Sequence, residues 1–236
     1  MKSSKLLAAV GAALFIAAVS HAADSASISG KITFEGTPPK QKKIKTDADA
    51  KCAEMYADSP LLSEEVVVNG DALKNVFVYV KSGLGDKTYD APKDPVTINQ
   101  TGCHYVPHVF GMMAKQPLKI VNSDDTLHNI HAMPTKSTEF NVGEPNKGMA
   151  VTRTFASPEI MVHFKCDVHP WMSAYVGVMS NPFYSVTGDD GTFSLKGLPA
   201  GEYEVAAWQE KYGEQVQKIK VGDGETKTID FKFKAE

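Results

Sequence analysis

The string Cys166-Asp167-Val168-His169-Pro170-Trp171-Met172 packs a thiol, an imidazole and a thioether into seven residues, spaced C-x2-H-x2-M. A soft thiolate beside an imidazole suits copper or zinc, and the added thioether turns the choice toward copper, because methionine is a poor zinc ligand. One Cys and two His in a trigonal set, with a weak axial Met, make a blue (type-1) copper site, which carries single electrons. That set needs one more histidine. Leu127-His128-Asn129-Ile130-His131, upstream of Cys166, offers His128, with His131 as its rival. Each residue alone has an ordinary explanation, since a lone Cys or Met is more often core packing. Their joint occurrence makes His128, Cys166, His169 and Met172 the expected ligands of one copper per chain.

The cysteine count supports the assignment. The chain holds three cysteines. If the metal takes Cys166, Cys52 and Cys103 are left over, and an exported protein favours pairing them. Their bridge closes a loop worth about 4 kcal/mol of chain entropy. A second metal held by Cys103, His104, His108 and Met112 is the competing use of that stretch. In the disulfide reading Met112 and Met113 simply pack.

Export itself is read from residues 1–22. Lys2 and Lys5 precede an apolar run from Leu6 to Val19, and Ser20-His21-Ala22 gives a small-residue cut site after Ala22. The run is shorter than the ~20 residues that cross a bilayer, and no Arg pair precedes it, so a Sec-type leader to the periplasm is expected. No second long apolar stretch follows, so the mature chain should have no membrane span. A net charge of −3 leaves no basic footprint for nucleic acid, and 42% hydrophobic with 22% charged residues excludes disorder, collagen and coiled coil.

The elements that must position these residues read as all-β. Ser27 to Phe34 alternates apolar and polar, then breaks at Gly36-Thr37-Pro38-Pro39. Short β-branched runs follow at 65–68, 76–80, 95–98, 118–121, 151–155 and 160–164. Four more lie at 193–195, 203–208, 216–221 and 228–233, with Gly-rich turns between. One short helix is expected near Ala48 to Tyr56. Ile160, Val162 and Phe164 share the parity of Cys166 and should face inward, with Met161, His163 and Lys165 outward. His163 is expected at the surface or between domains.

Together His128-Asn129 and the Cys166–Met172 loop resemble the copper site of cupredoxins, the amicyanins most. In that family a His-Asn dipeptide after a strand gives the first ligand, and one loop gives Cys, His and Met. Pro170 fits the loop. Tyr105-Val106-Pro107 and the segment Gln116 to Asn122 resemble the strand leading to the first His. Cys103-His104 departs from the family. The resemblance spans roughly Pro95 to Met179. It implies a Greek-key β-sandwich or barrel and Asn129 hydrogen-bonding across to the Cys loop. It also implies a surface-near His169 that passes the electron, and Pro170 and Trp171 in an apolar docking patch.

Thr187 to Val205, with Asp190-Gly191, Leu198-Pro199-Ala200-Gly201 and Tyr203, resembles the carboxypeptidase regulatory-like domain, a non-catalytic transthyretin-like β-sandwich. Too few residues follow Asn181 to build one alone. Ile28 to Ile32, ending at Pro38-Pro39, resembles its first strand. The expected organisation is therefore a leader (1–22), an N-terminal β segment (23–90), a copper domain (91–180) and a C-terminal sandwich (181–236). A sharper expectation is that residues 24–90 and 181–236 form one sandwich split around the copper domain. A strand at Ile28 pairing only within the copper domain would refute it.

Three function classes follow. The leading one is a periplasmic carrier of single electrons. Its partners would be redox proteins such as a c-type cytochrome or a periplasmic dehydrogenase or oxidase. The amicyanin likeness implies a methylamine-type quinoprotein dehydrogenase as one candidate. The second class is a copper chaperone or storage protein, and the third an interaction module with a structural metal. An enzyme is not expected. His128 and His131 are spaced His-x-x-His, not as the His-x-His pairs of multicopper oxidases, and no Ser/His/Asp or paired-carboxylate set stands out.

Overall fold

The computed structural model describes residues 25–235, so the expected leader lies outside the described residues. In chain order the elements begin β1 (Ala26–Glu35), α1 (Ala50–Met55), β2 (Val68–Asn69), β3 (Ala72–Leu73) and β4 (Phe77–Ser82). Then come β5 (Val96–Thr101), β6 (His104–Val106), β7 (Val109–Met113), β8 (Leu118–Asn122) and β9 (His128–Ala132). Next are β10 (Phe140–Glu144), β11 (Ala150–Arg153), β12 (Glu159–Lys165), β13 (Ser173–Met179) and β14 (Tyr184–Val186). The chain ends with β15 (Thr192–Leu198), β16 (Gly201–Gln209), β17 (Gly213–Val221), β18 (Thr226–Thr228) and β19 (Phe231–Lys234). The protein is nearly all β, in two sandwich-like units.

The first unit is built from both ends of the chain. β1 buries Ala26, Ile28, Ile32 and Phe34 at period two. It pairs antiparallel with β15 (Gly30 opposite Phe193), and parallel with β18 and β19 (Ile32 opposite Phe231). Gly30 is required there, because a Cβ would stand 1.8 Å from the Ile229 carbonyl oxygen. The facing sheet has the order β14-β4-β16-β17, so strands from before and after the middle of the chain again lie side by side. Ile28, Leu73, Val78, Leu195, Val205 and Phe231 meet in the core between the sheets.

Residues of the middle of the chain form the second unit. Its sheets have the orders β10-β9-β12-β13-β7 and β11-β8-β5-β6, with β13/β7 and β5/β8 parallel. Ile98, Tyr105, Phe110, Leu118, Phe155 and Phe164 fill the space between them, and Cys166 and Met172 belong to the same cluster. The two units meet on a glycine platform. Gly111 and Gly177 face one another across β7 and β13. A Cβ at Gly177 would lie 2.2 Å from the Phe77 ring, and one at Gly111 2.4 Å from the Tyr184 ring. Phe77 and Tyr184 stack on each other there, 5.8 Å between centroids.

Strict alternation would turn Ile160 inward, and the structure turns it out. Val162 and Phe164 are buried, but Ile160 is 38% exposed. The β12/β13 register shifts between Glu159 and Val162, and Met161 takes a positive φ of 59°, so a bulge turns Ile160 out. Near residue 65 the expected strand shrinks to Val68–Asn69.

Candidate metal centre

His128 opens β9, directly after a turn organised by Asn122. The Asn122 side-chain amide donates to the carbonyls of Thr126 and Glu144, and its oxygen accepts from the Asp124 amide. Asp124 is thereby brought under the ring of His128. Cys166 follows the last residue of β12. The loop then folds back on itself: the His169 amide donates to Cys166 Sγ (3.3 Å), the Met172 amide to the His169 carbonyl (2.9 Å), and the Cys166 amide to the Met172 carbonyl (3.3 Å). The two-residue spacings are what let this loop close. Asn129 ties it to β9, its Oδ1 accepting from the Asp167 amide (2.7 Å) and the Cys166 thiol (3.2 Å). The Asn129 carbonyl in turn accepts from the Tyr105 hydroxyl at 2.5 Å.

The donors converge in a dry pocket. His128, Cys166, His169 and Met172 are each at most 2% exposed. The Nδ1 atoms of His128 and His169 lie 2.9 Å apart, and His169 Nδ1 lies 3.8 Å from Cys166 Sγ. One ligand atom from each of His128, Cys166 and His169 falls within 4.8 Å of the others. Burial would raise the Cys166 thiol, but His128, His169 and the Asn129 contact outweigh it and bring its pKa down to about 6. Burial would lower His128, but Asp124 and the Cys166 sulfur push it up to about 9. A thiol eased toward ionisation beside two imidazoles, with a thioether residue in the same buried cluster, fits a soft, thiophilic metal.

His169 is not near the surface. The segment between β1 and β2 carries α1 across its outer edge, leaving the residue 1% exposed. Asp49 caps α1, accepting from the Lys51 and Cys52 amides, and its Oδ2 lies 3.4 Å from His169 Nε2. Cys52 Sγ lies 3.8 Å from the same nitrogen. Cys52 and Cys103 form a disulfide across 51 residues of chain, leaving Cys166 as the free cysteine. His128 has a matching partner on its other side, with Asp124 Oδ2 2.9 Å from Nε2.

The second cluster does not converge. Cys103 is bridged, Met112 packs in the core, His104 turns to the Gly102 carbonyl, and His108 contacts Glu210 at 2.7 Å. Two further groupings, Asp49/Cys52/His169 and Cys103/Asp124/His128, are the outer edges of the same two imidazoles, and their sulfurs are those of the disulfide. His131 points instead to Asp167 and Glu139, the latter at 2.6 Å. His163 stacks on Tyr175 in the joint between the units. Asp49 and Asp124 are site residues that sequence reading missed. The signals available were an Asp at a helix N-cap and an Asn-Ser-Asp-Asp turn, neither specific.

Pro170 is exposed and Trp171 half-buried. The indole donates to the Cys103 carbonyl (2.9 Å), and its ring lies 5.0 Å from that of His169. Both residues line an open groove of ≈ 530 Å³ whose other wall carries Lys42, Lys43, Lys45 and Glu64. Ile44, Leu61 and Leu62 line the same groove, so apolar and charged side chains mix around Pro170 and Trp171.

The carboxypeptidase regulatory-like domain family matches residues 173–234, which takes in β13 and all of β14 to β19. No curated protein matches the chain. Among solved structures, a copper-containing nitrite reductase from Thermus scotoductus SA-01 is 20% identical with a TM-score of 0.34, covering 41% of this chain and 24% of that one. The chain thus spans about a quarter of that reductase's length. A purple cupredoxin from Nitrosopumilus maritimus is 20% identical (TM-score 0.31; 35% of this chain, 98% of that one). A Cu(I) amicyanin variant is 16% identical (TM-score 0.33; 43% and 98%). Likeness at this level is no evidence of function, which has to come from the side chains themselves. Among the described residues, no helix is long and apolar enough to cross a membrane.

Proposed function

We propose that this is an exported copper protein that carries single electrons between redox partners, with its metal held by His128, His169, Cys166 and Met172. The observation that carries the reading is the convergence of one thiol and two imidazole Nδ1 atoms in a pocket closed to water. Copper bound there would supply a one-electron couple. The chain's contribution is to keep the donor set fixed. The loop hydrogen bonds hold Cys166 and His169 in place, Asn129 locks the loop to β9, and Cys166 and Met172 are packed into the core of the unit. Its partners would be redox proteins of the same compartment, such as a c-type cytochrome or a periplasmic dehydrogenase or oxidase. We assign it a carrier role and no enzymatic one.

The test is to load the mature chain with Cu(II). One copper per chain and an intense thiolate-to-copper band in the visible are expected, with the band lost in Cys166→Ser. A colourless protein that binds Cu(I) alone would replace the carrier reading with copper storage or delivery.

A further inference from the structure

The two half-cystines are more than a staple. The Cys52 amide donates to Asp49 Oδ1 (3.0 Å), and the Cys103 amide donates to Asp124 Oδ2 (2.8 Å). Each of these carboxylates sits on the outer nitrogen of one imidazole: Asp124 on His128 Nε2, and Asp49 on His169 Nε2. The bridge therefore frames a pair of acids over a pair of histidines. The acids are themselves held fast. Asp124 Oδ1 also accepts from the Gly102 amide (2.8 Å), and Asp49 Oδ2 accepts from the Thr126 hydroxyl (2.9 Å).

We propose that Asp124 and Asp49 are positioning residues of the metal centre, fixing both imidazoles with Nδ1 inward and biasing the site toward the oxidised metal. This rests on the metal assignment above. The physical argument has two parts. An acceptor on Nε2 places the ring proton there, which leaves Nδ1 free as a donor to metal and fixes the ring plane. Two carboxylates beside a buried centre also favour the higher of two metal charges, because the local dielectric screens them poorly. The two are unequal. Asp124 is the closer (2.9 against 3.4 Å) and its side chain the more buried (5% against 21% exposed). Asp49 belongs to the segment between β1 and β2, so the sandwich unit reaches into the electronics of the other unit.

The experiment compares Asp124→Asn and Asp49→Ser with the wild-type mature chain, reading Cu(II) affinity, Cu(I) affinity and the reduction potential. Asn keeps an acceptor but loses the charge. Ser keeps the helix cap but is too short to reach His169. Asp124→Asn is expected to lose Cu(II) affinity about 10–100-fold with Cu(I) affinity held. At about 59 mV per tenfold for one electron, its potential rises by about 60–120 mV. Asp49→Ser shifts the same way by less. If Asp124→Asn fails to fold, Asp49→Ser decides alone, its fold checked by circular dichroism. Wild-type protein that shows the thiolate band, with both variants unchanged in affinity and potential, overturns this proposal and leaves the metal assignment standing. Wild-type protein with no copper on Cys166 overturns both.

Discussion

Removing the Cys52–Cys103 bridge should cost far more stability than a surface change, and should also uncover His169. The paired cysteines are 51 residues apart. Reopening a loop of that length returns to the unfolded chain an entropy worth about 4 kcal/mol at 25 °C. For a chain of this size, each kcal/mol moves the melting temperature by about 2–4 °C, so the double Ser variant should melt roughly 8–16 °C lower. The local effect follows from α1. It has six residues and buries only Cys52, and a helix that short does not hold without tertiary support. Once the bridge is gone, residues 49–56 should exchange their amide protons far faster than the β-sheets, and His169 should become accessible to an imidazole-modifying reagent. The assay is calorimetry on metal-free protein, so that bound metal adds no stability of its own, together with hydrogen exchange read by mass spectrometry. Wild-type protein in a strong thiol reductant should reproduce both effects. A melting drop below about 3 °C, or α1 amides that stay protected, would refute the reasoning.

Two further substitutions probe the joint between the units. Gly177→Ala puts a methyl group into the Phe77 ring and should cost about 1–3 kcal/mol in urea unfolding; a neutral result would mean that the platform yields freely. Glu210→Gln tests the His108 pair. Burial works against protonating His108, but Glu210 at 2.7 Å outweighs it and raises its pKa above 6.5. A raised histidine contributes its full stability below about 6.5 and loses it as pH climbs through the folded value. The stability gap between wild type and Glu210→Gln should therefore be widest near pH 6 and shrink on the alkaline side. A gap that stays flat across this range would remove His108 as its cause.

His128, Cys166, His169 and Met172 were legible because ligand chemistry constrains residue type and spacing together. A C-x2-H-x2-M string can present its side chains to one point only by closing a tight loop, and it does. Asn129 was legible only through resemblance. The strands that serve the site were the hardest to see. β9 reads His-Asn-Ile-His-Ala, with three of five positions polar, and β10 ends in the buried Glu144. Tertiary packing and site chemistry override strand propensity there. β13 carries Gly177, which weakens a strand pattern but is needed under Phe77. Ile160 failed for a reason alternation cannot contain, a bulge at Met161.

Asp49 marks where sequence reading stops. Nothing in residues 36–67 announces a role at a site whose ligands lie far along the chain, and the contact exists only because topology makes it. β1 is committed to β15, β18 and β19, all from the C-terminal end, so the chain must leave the sandwich, build the metal unit and return. The segment after β1 lies against the metal unit before β2 and β3 bring the chain back. The bridge to Cys103 and the hydrogen bond from Thr126 to Asp49 fix it over His169. A metal unit cut out at residues 91–180 would keep all four ligands but lose Asp49, Cys52 and the cover of His169. The ligand set is thus local in sequence, while the shell that closes it is a property of the whole chain.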